Sequence, residues 1–255
     1  MSLSLNNLSI GNVLLRINEC KSTNIFAKEL LSKNEPIDGT VVITDKQTKG
    51  RGQYGNKWQA NFFENLTFSV ILKPKFLKPK EHFLLSKIIA LACIDVFNLY
   101  KKNSFTIKWP NDIFYNNKKI GGILIENIIS SKQINTSIIG VGLNINQQYF
   151  KGLEQAISLK NITQKNIELE IVLNQILKQL DFYYQLLRNR KTEQINSLYC
   201  KNMFGIKTSR PFINVKSQEK FKAVIKGVNS EGKLFLQKDD EELFFGFKEI
   251  VWCFL

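Results

Sequence analysis

Apolar positions along this chain recur first at helical spacing and later at a spacing of two, and the change of period organises the sequence. Ile25, Phe26, Ala27, Leu30 and Leu31 follow Ser22-Thr23-Asn24, small polar residues that make a good helix cap. The β-branched run at 40–44 predicts a strand, and residues 45–58 form a polar, glycine-rich loop. Residues 66–72 alternate as a strand that ends at Pro74, and 83–100 make a long, mostly apolar helix. A strand at 105–109 is stopped by Pro110. Residues 113–115 and 119–129, joined at Asn116-Asn117, read as a hairpin because asparagine tolerates positive φ. A strand at 136–141 runs into Gly142-Leu143-Asn144. Apolar residues at spacings of three and four from Ile167 to Leu187 then predict an amphipathic helix.

After about Gly205 the pattern changes to short strands at 213–215, 221–228, 233–237, 243–247 and 250–252. Five short strands in about fifty residues suggest a small barrel. The expected class is α+β: a mixed-sheet domain over 1–204, followed by an all-β domain over 205–255. No repeat or low-complexity segment interrupts this order.

Composition narrows the picture by exclusion. A chain of 255 residues with 44% hydrophobic and 23% charged positions is ordinary for a folded protein. Its start lacks a basic stretch followed by an apolar core, so no secretory signal is expected. The most apolar segment, 83–99, is broken by Lys87 and Asp95 and reads as a buried helix, not a membrane span. A cytoplasmic protein is expected. Four scattered cysteines and a single histidine, His82, make a zinc site or a disulfide framework improbable. The net charge of +14 suggests nucleic acid, but only five of the 36 basic residues are arginine, which leaves 31 lysines spread along the chain. No specific DNA binding is expected; the charge suits steering toward an acidic partner.

Three segments carry candidate chemistry. Between Asp45 and Trp58, Gly50-Arg51-Gly52 and Gly55 allow close approach of backbone to a ligand, and Arg51 offers a permanent fork for a carboxylate or phosphate. Lys108-Trp109-Pro110-Asn111-Asp112 presents a carboxylate at a strand end. Lys119 then leads into Gly121-Gly122, where missing side chains leave room for a ligand. Gly140-Val141-Gly142-Leu143-Asn144 closes the set. Taken alone, these segments are equally a flexible loop, a surface hairpin and a packing feature.

Their order resembles the biotin–protein ligase family. The matching elements are Ser22-Thr23-Asn24, Gln47 with Gly50-Arg51-Gly52 and Gly55 through Trp58, Lys108 through Asp112, Lys119 with Gly122-Ile123-Leu124, and Gly140 to Asn144. The likeness is strong over roughly 17–146. It is looser over the last fifty residues, through Phe221-Lys222-Ala223 and Gly232-Lys233-Leu234. It implies a catalytic domain of the class II aminoacyl-tRNA synthetase and biotin ligase type, with an SH3-like tail. Two departures stand out. Only about twenty residues precede the Ser-Thr-Asn helix, which leaves no room for the helix-turn-helix of repressor-type members and implies a monofunctional chain. Many members also carry a second arginine, which helps hold the adenylate, where this chain has Gln53.

The resemblance implies roles as well. Ser22, Thr23, Asn24 and Gln47 would bind biotin, with Gly50, Gly52, Gln53, Gly122, Ile123 and Gly142 around it. Arg51 would hold the biotin carboxylate and the α-phosphate, Trp58 would pack over the adenylate, and Asn111 and Asn144 would contact the nucleotide. Lys119 would stabilise charge as the carboxylate attacks ATP, with Mg²⁺ sharing that work. Asp112 is the candidate for orienting an acceptor lysine of a biotin carboxyl carrier protein. No enzyme nucleophile is needed. The glycines of the 50–58 loop also suggest a segment that orders over the adenylate. A lipoate–protein ligase is the nearest rival, without the expected arginine pair ahead of a triple glycine; a basic nucleic-acid-binding protein is a more distant one. Monomer and homodimer both remain open.

Overall fold

The computed structural model describes residues 9–253; the first eight residues, part of the segment read above for a secretory signal, lie outside the described residues. The first strand, β1 (Leu14–Cys20), pairs in parallel with β2 (Thr40–Gln47) through the crossover helix α1 (Thr23–Lys33). The sheet continues with β3 (Leu66–Leu72), β4 (Phe105–Lys108), β5 (Asp112–Tyr115), β6 (Lys118–Ile129) and β7 (Ile134–Leu143). Its order is β1-β2-β3-β7-β6-β5-β4, and every pairing after the first is antiparallel.

The two faces of this sheet differ in kind. Val41, Ile43, Phe68, Val70, Ile139 and Val141 point to one face and join the main core with α2 (Phe83–Tyr100) and α4 (Leu169–Arg188). The other face receives α1 at one end, where Ala27 packs with Val42, Ile71 and Ile138. Further along that face the side chains become small: Thr44, Thr67, Gly142, Gly122 and Asp112 form one row across five strands. Here the sheet leaves an opening instead of a second layer.

Pro79–Tyr100 is long and apolar enough to cross a membrane by length and composition, so Lys87 and Asp95 do not by themselves exclude a span. Its most apolar window is 72% buried inside the fold, which makes α2 the core helix the pattern predicts. Lys87 survives there because its Nζ donates to Asn196 Oδ1 (2.7 Å) and lies over the Phe83 and Tyr199 rings. Burial lowers its pKa to about 8.

The tail forms an antiparallel sheet of β8 (Ser209–Asn214), β9 (Lys220–Val228), β10 (Leu234–Lys238), β11 (Glu241–Phe245) and β12 (Ile250–Trp252), in the order β11-β10-β9-β8-β12. Phe221, Ala223 and Ile225 of β9 point inward while Lys220, Lys222 and Lys226 face solvent. This small sheet fits the SH3-like expectation. It is fastened to the first by Trp109, whose Nε1 donates to the Gly232 carbonyl (2.9 Å), and by Phe247, which meets the Trp109 ring edge-on at 5.3 Å.

Three elements escape the hydrophobic pattern: β1, α3 (Leu159–Thr163) and α5 (Thr192–Lys201). β1 is an edge strand with no fully buried residue, and α5 buries only Ile195 and Tyr199 fully. Neither shows enough apolar positions to register a period.

Candidate active site

A cleft of about 480 Å³ opens on the small-residue face of the main sheet. Its floor is built where side chains are missing. On β6 and β7, Gly122 pairs with Gly142 and Leu124 with Gly140, so three glycines share the face. A methyl group on Gly140 would overlap the Asn24 carboxamide, and one on Gly142 would lie 2.7 Å from Trp58 Cζ2 and Nε1. One on Gly122 would press against Lys119 Nζ at 3.3 Å. Each glycine therefore seats a polar or aromatic side chain that arrives from another element.

Asn24 enters from the start of α1. Ser22 occupies the cap position there, but its side chain makes no cap hydrogen bond, contrary to the expectation of an ordinary cap. Gln47 of β2 does that work: its Oε1 accepts from the Thr23 N–H (2.8 Å) and lies 3.3 Å from Thr23 Oγ1. Ser22, Thr23 and Gln47 all line the cleft. Ser69 Oγ lies 2.7 Å from both Thr23 Oγ1 and Asn24 Oδ1, which ties this end of the floor to β3.

The glycine-rich loop folds back on itself. Arg51 bridges to Lys57, the Gly52 N–H donates to the Asn56 carbonyl (2.7 Å), and the Trp58 N–H donates to the Gly50 carbonyl (3.1 Å). Tyr54 adopts a left-handed conformation at the tip (φ 55°), under the ammonium of Lys248 at 4.0 Å from its ring centre. Arg51, Gly52, Gln53 and Trp58 line the cleft, whereas Gly50 does not. The Trp58 indole N–H is buried without a hydrogen-bond partner, as is that of Trp252, which also lines the cleft. Buried donors of this kind normally have an acceptor, which a ligand in the cleft can supply.

Lys119 reaches the cleft through an irregularity. The β5–β6 register slips by one between Ile113 and Phe114, an extra residue on β6 that turns Lys119 onto the face of Gly122. Its Nζ lies 2.6 Å from Asp112 Oδ1, an ion pair without hydrogen-bond alignment, since that oxygen is buried and otherwise unpartnered. Asn111 is locked beside them: its Nδ2 donates to the Ile123 carbonyl (2.9 Å) and its own carbonyl accepts from the Ile123 N–H. Lys108, under Phe114 and Trp252, has its pKa lowered chiefly by burial, with Asp112 opposing and Lys119 adding to the shift.

The structure thus brings Ser22, Thr23, Asn24, Gln47, Arg51, Gly52, Gln53, Trp58, Asn111, Asp112, Lys119, Gly122, Ile123 and Gly142 to one cleft. Asn144 stays outside its lining. It is buried, and its Nδ2 donates to the Ile157 carbonyl (3.1 Å), so it tethers the segment that follows β7. The sequence gives no hint of the wall formed by Phe247, Lys248 and Ile250 through Trp252. These residues come from the tail, more than a hundred positions from the motifs, and only tertiary packing joins them.

Two cations, Arg51 and Lys119, share one cleft with hydrogen-bonding groups, a glycine floor and indole rings, a set that suits a phosphate chain next to a small, largely apolar ligand. Residues 17–144 match the biotin/lipoate A/B protein ligase family, and the chain belongs to it. A bifunctional ligase/repressor BirA of Bacillus spizizenii is 30% identical over 235 residues, 91% of this chain and 71% of that protein. A biotin–[acetyl-CoA-carboxylase] ligase of Mycobacterium tuberculosis is 25% identical over 218 residues, 84% and 79% of the two chains. The fold matches that of a biotin protein ligase from Aquifex aeolicus in complex with biotin and ATP. That match has a TM-score of 0.78 at 24% identity, covering 94% of this chain and 98% of that one.

Proposed function

We propose that this cleft carries both half-reactions of a biotin–protein ligase. The chain activates biotin with ATP to biotinyl-5′-AMP, and transfers biotin to a lysine of a carrier protein with release of AMP. The observation that carries this reading is the seating of Asn24, Trp58 and Lys119 on three glycines of one sheet face, in a chain of this family.

In the first step a carboxylate oxygen of biotin attacks the α-phosphorus. The new P–O bond replaces the bond to the leaving pyrophosphate. Ser22, Thr23 and Gln47 hydrogen-bond the ureido ring, while Gly122, Ile123, Gly142 and Trp58 wall its apolar part. Arg51 takes the carboxylate–phosphate junction, with Gly52 and Gln53 beside it, and Lys119 faces the charge that builds on the phosphate. Asn111 borders the nucleotide. Asn24 acts by shaping the floor. Gly50 contributes through the loop it closes, and Asn144 through the segment it tethers.

Among the described residues no three His, Cys, Asp or Glu side chains cluster to hold a metal, and Asp112 is the one carboxylate lining the cleft. That set fits Mg²⁺ held mainly by triphosphate oxygens, with Asp112 the protein group able to add to them. When bound, the ion would neutralise phosphate charge.

In the second step the acceptor amine attacks the acyl carbon and the bond to the AMP oxygen breaks. A free lysine has a pKa of about 10.4 and is protonated at neutral pH. Asp112 orients that ammonium and eases loss of its proton. Asp112→Asn should slow transfer from preformed adenylate by about 10²-fold in single turnover; an unchanged rate would remove this role. The acceptor is a biotin carboxyl carrier protein, met in the cytoplasm, and the lysine-rich surface steers an acidic partner. The division of the chain falls near residues 204 and 205, ahead of β8.

Offering biotin or lipoate with ATP, and following pyrophosphate release and transfer of labelled biotin to a carrier domain, tests the reading. Turnover with biotin supports it. Turnover with lipoate alone moves the chain to the other branch of its family.

A further inference from the structure

Glu126 belongs to none of the motifs above and does not line the cleft. It lies on β6, on the face of Gly122 and Leu124, opposite Ile138 of β7. Its carboxylate is met from three sides. Asn24 Nδ2 donates to it at 2.9 Å, Lys28 Nζ lies at 3.4 Å, and Arg51 Nη1 reaches both oxygens at 3.3 and 3.4 Å. Burial alone would raise its pKa, but the Asn24 hydrogen bond and the two cations hold it below the usual carboxylate range. The group is therefore an anion at neutral pH.

Two features make Glu126 a fixed post and not a casual surface partner. Its hydrogen-bond donor, Asn24, is wedged against Gly140, and Asn24 Oδ1 lies 2.7 Å from Ser69 Oγ. Through Ser69 and Thr23 the same chain of contacts runs back to Gln47. The floor of the cleft and the loop arginine are thus linked through one carboxylate. The second feature is the geometry of the arginine contact. Only Nη1 is engaged, in a one-nitrogen approach and not a fork, and Arg51 still lines the cleft. Nη2 and Nε take no part in the contact with Glu126 and remain as donors for a ligand.

We propose that Glu126 is a positioning residue for Arg51: it fixes the guanidinium from behind so that its remaining donors meet the carboxylate–phosphate junction of the adenylate. This rests on the ligase reading of Arg51 given above. Because position 53 is an uncharged glutamine, the placement of this one guanidinium governs how long the adenylate stays in the loop.

The test uses the full chain as wild type, Glu126→Gln, Glu126→Asp, Arg51→Ala, and Arg51→Ala combined with Glu126→Gln. Each is followed by pyrophosphate release, by labelling of a carrier domain, and by labelling of a bystander protein that reports escaped adenylate. Glu126→Gln should raise bystander over carrier labelling about tenfold, the factor that 1.4 kcal/mol represents. Glu126→Asp, which keeps the charge, should recover part of that loss and carries the test if the glutamine variant does not fold. In the Arg51→Ala background Glu126→Gln should add nothing, because the group it positions is gone. Equal effects in both backgrounds, or an adenylate held as well as in wild type, would overturn the proposal. A wild type inactive with biotin would instead end the ligase reading. Trypsin cutting after Arg51 in the ligand-free chain then still decides the pairing: about tenfold faster in Glu126→Gln supports it, and an unchanged rate refutes it.

Discussion

Lys119→Ala should lower the rate of pyrophosphate release with biotin and ATP by about 10²- to 10³-fold, the usual cost of removing one preorganised charge-stabilising donor. The expectation is large because the backbone around Lys119 is independently held. Its N–H donates to the Gln155 carbonyl (2.7 Å) and its carbonyl accepts from the Ile157 N–H (3.0 Å). Truncation removes the ammonium without releasing the strand. It also strips Asp112 of its ion-pair partner, so Lys119→Arg is the informative companion. Arginine restores a cation but not its position beside Gly122, and should recover only part of the rate. Stopped-flow pyrophosphate detection on variants of unchanged circular dichroism measures this; a Lys119→Ala enzyme within tenfold of wild type would remove Lys119 from the first step.

Gly142→Ala should be nearly as damaging, by about 10²-fold in adenylate formation, through geometry alone. Gly142 sits in the middle of the sheet, paired with Thr67 of β3 on one side and Gly122 of β6 on the other. The strand cannot retreat, so a methyl group there must displace the Trp58 indole lying on it. The loop that carries Arg51 ends at Trp58, and moving the indole shifts the arginine with it. Shortening Trp58 to phenylalanine in the Gly142→Ala background should restore part of the rate if the clash is the cause. No recovery, with both proteins folded, would mean that the glycine matters for another reason.

Much of this site is legible in the sequence because its parts are local. Gly50-Arg51-Gly52, Lys108 through Asp112 and the glycines at 122, 140 and 142 each encode a backbone path within a few residues. What escapes is what tertiary structure assembles. Ser22 looks like a cap, yet Gln47 satisfies the helix end, because two strands of a parallel pair bring them together. Asn144 shares the parity of Gly142, but β7 ends at Leu143, and beyond the strand its side chain is free of the alternation and holds the Ile157 carbonyl. Glu126 carries a faint signal. It shares the parity of Gly122 and Leu124, so a carboxylate in that strand faces the same side as the cleft. The wall from Phe247 to Trp252 carries none.

One consequence of the cleft's construction is optical. The chain has three tryptophans, and Trp58, Trp109 and Trp252 all border the same cavity. One rides the glycine-rich loop, one joins the two sheets, and one belongs to the tail. Tryptophan emission from this protein therefore comes from the cleft itself and from all three of its walls. Ligand entry, loop closure and arrival of an acceptor can be followed on the unlabelled chain, and replacing the tryptophans one at a time assigns each change in light to a wall.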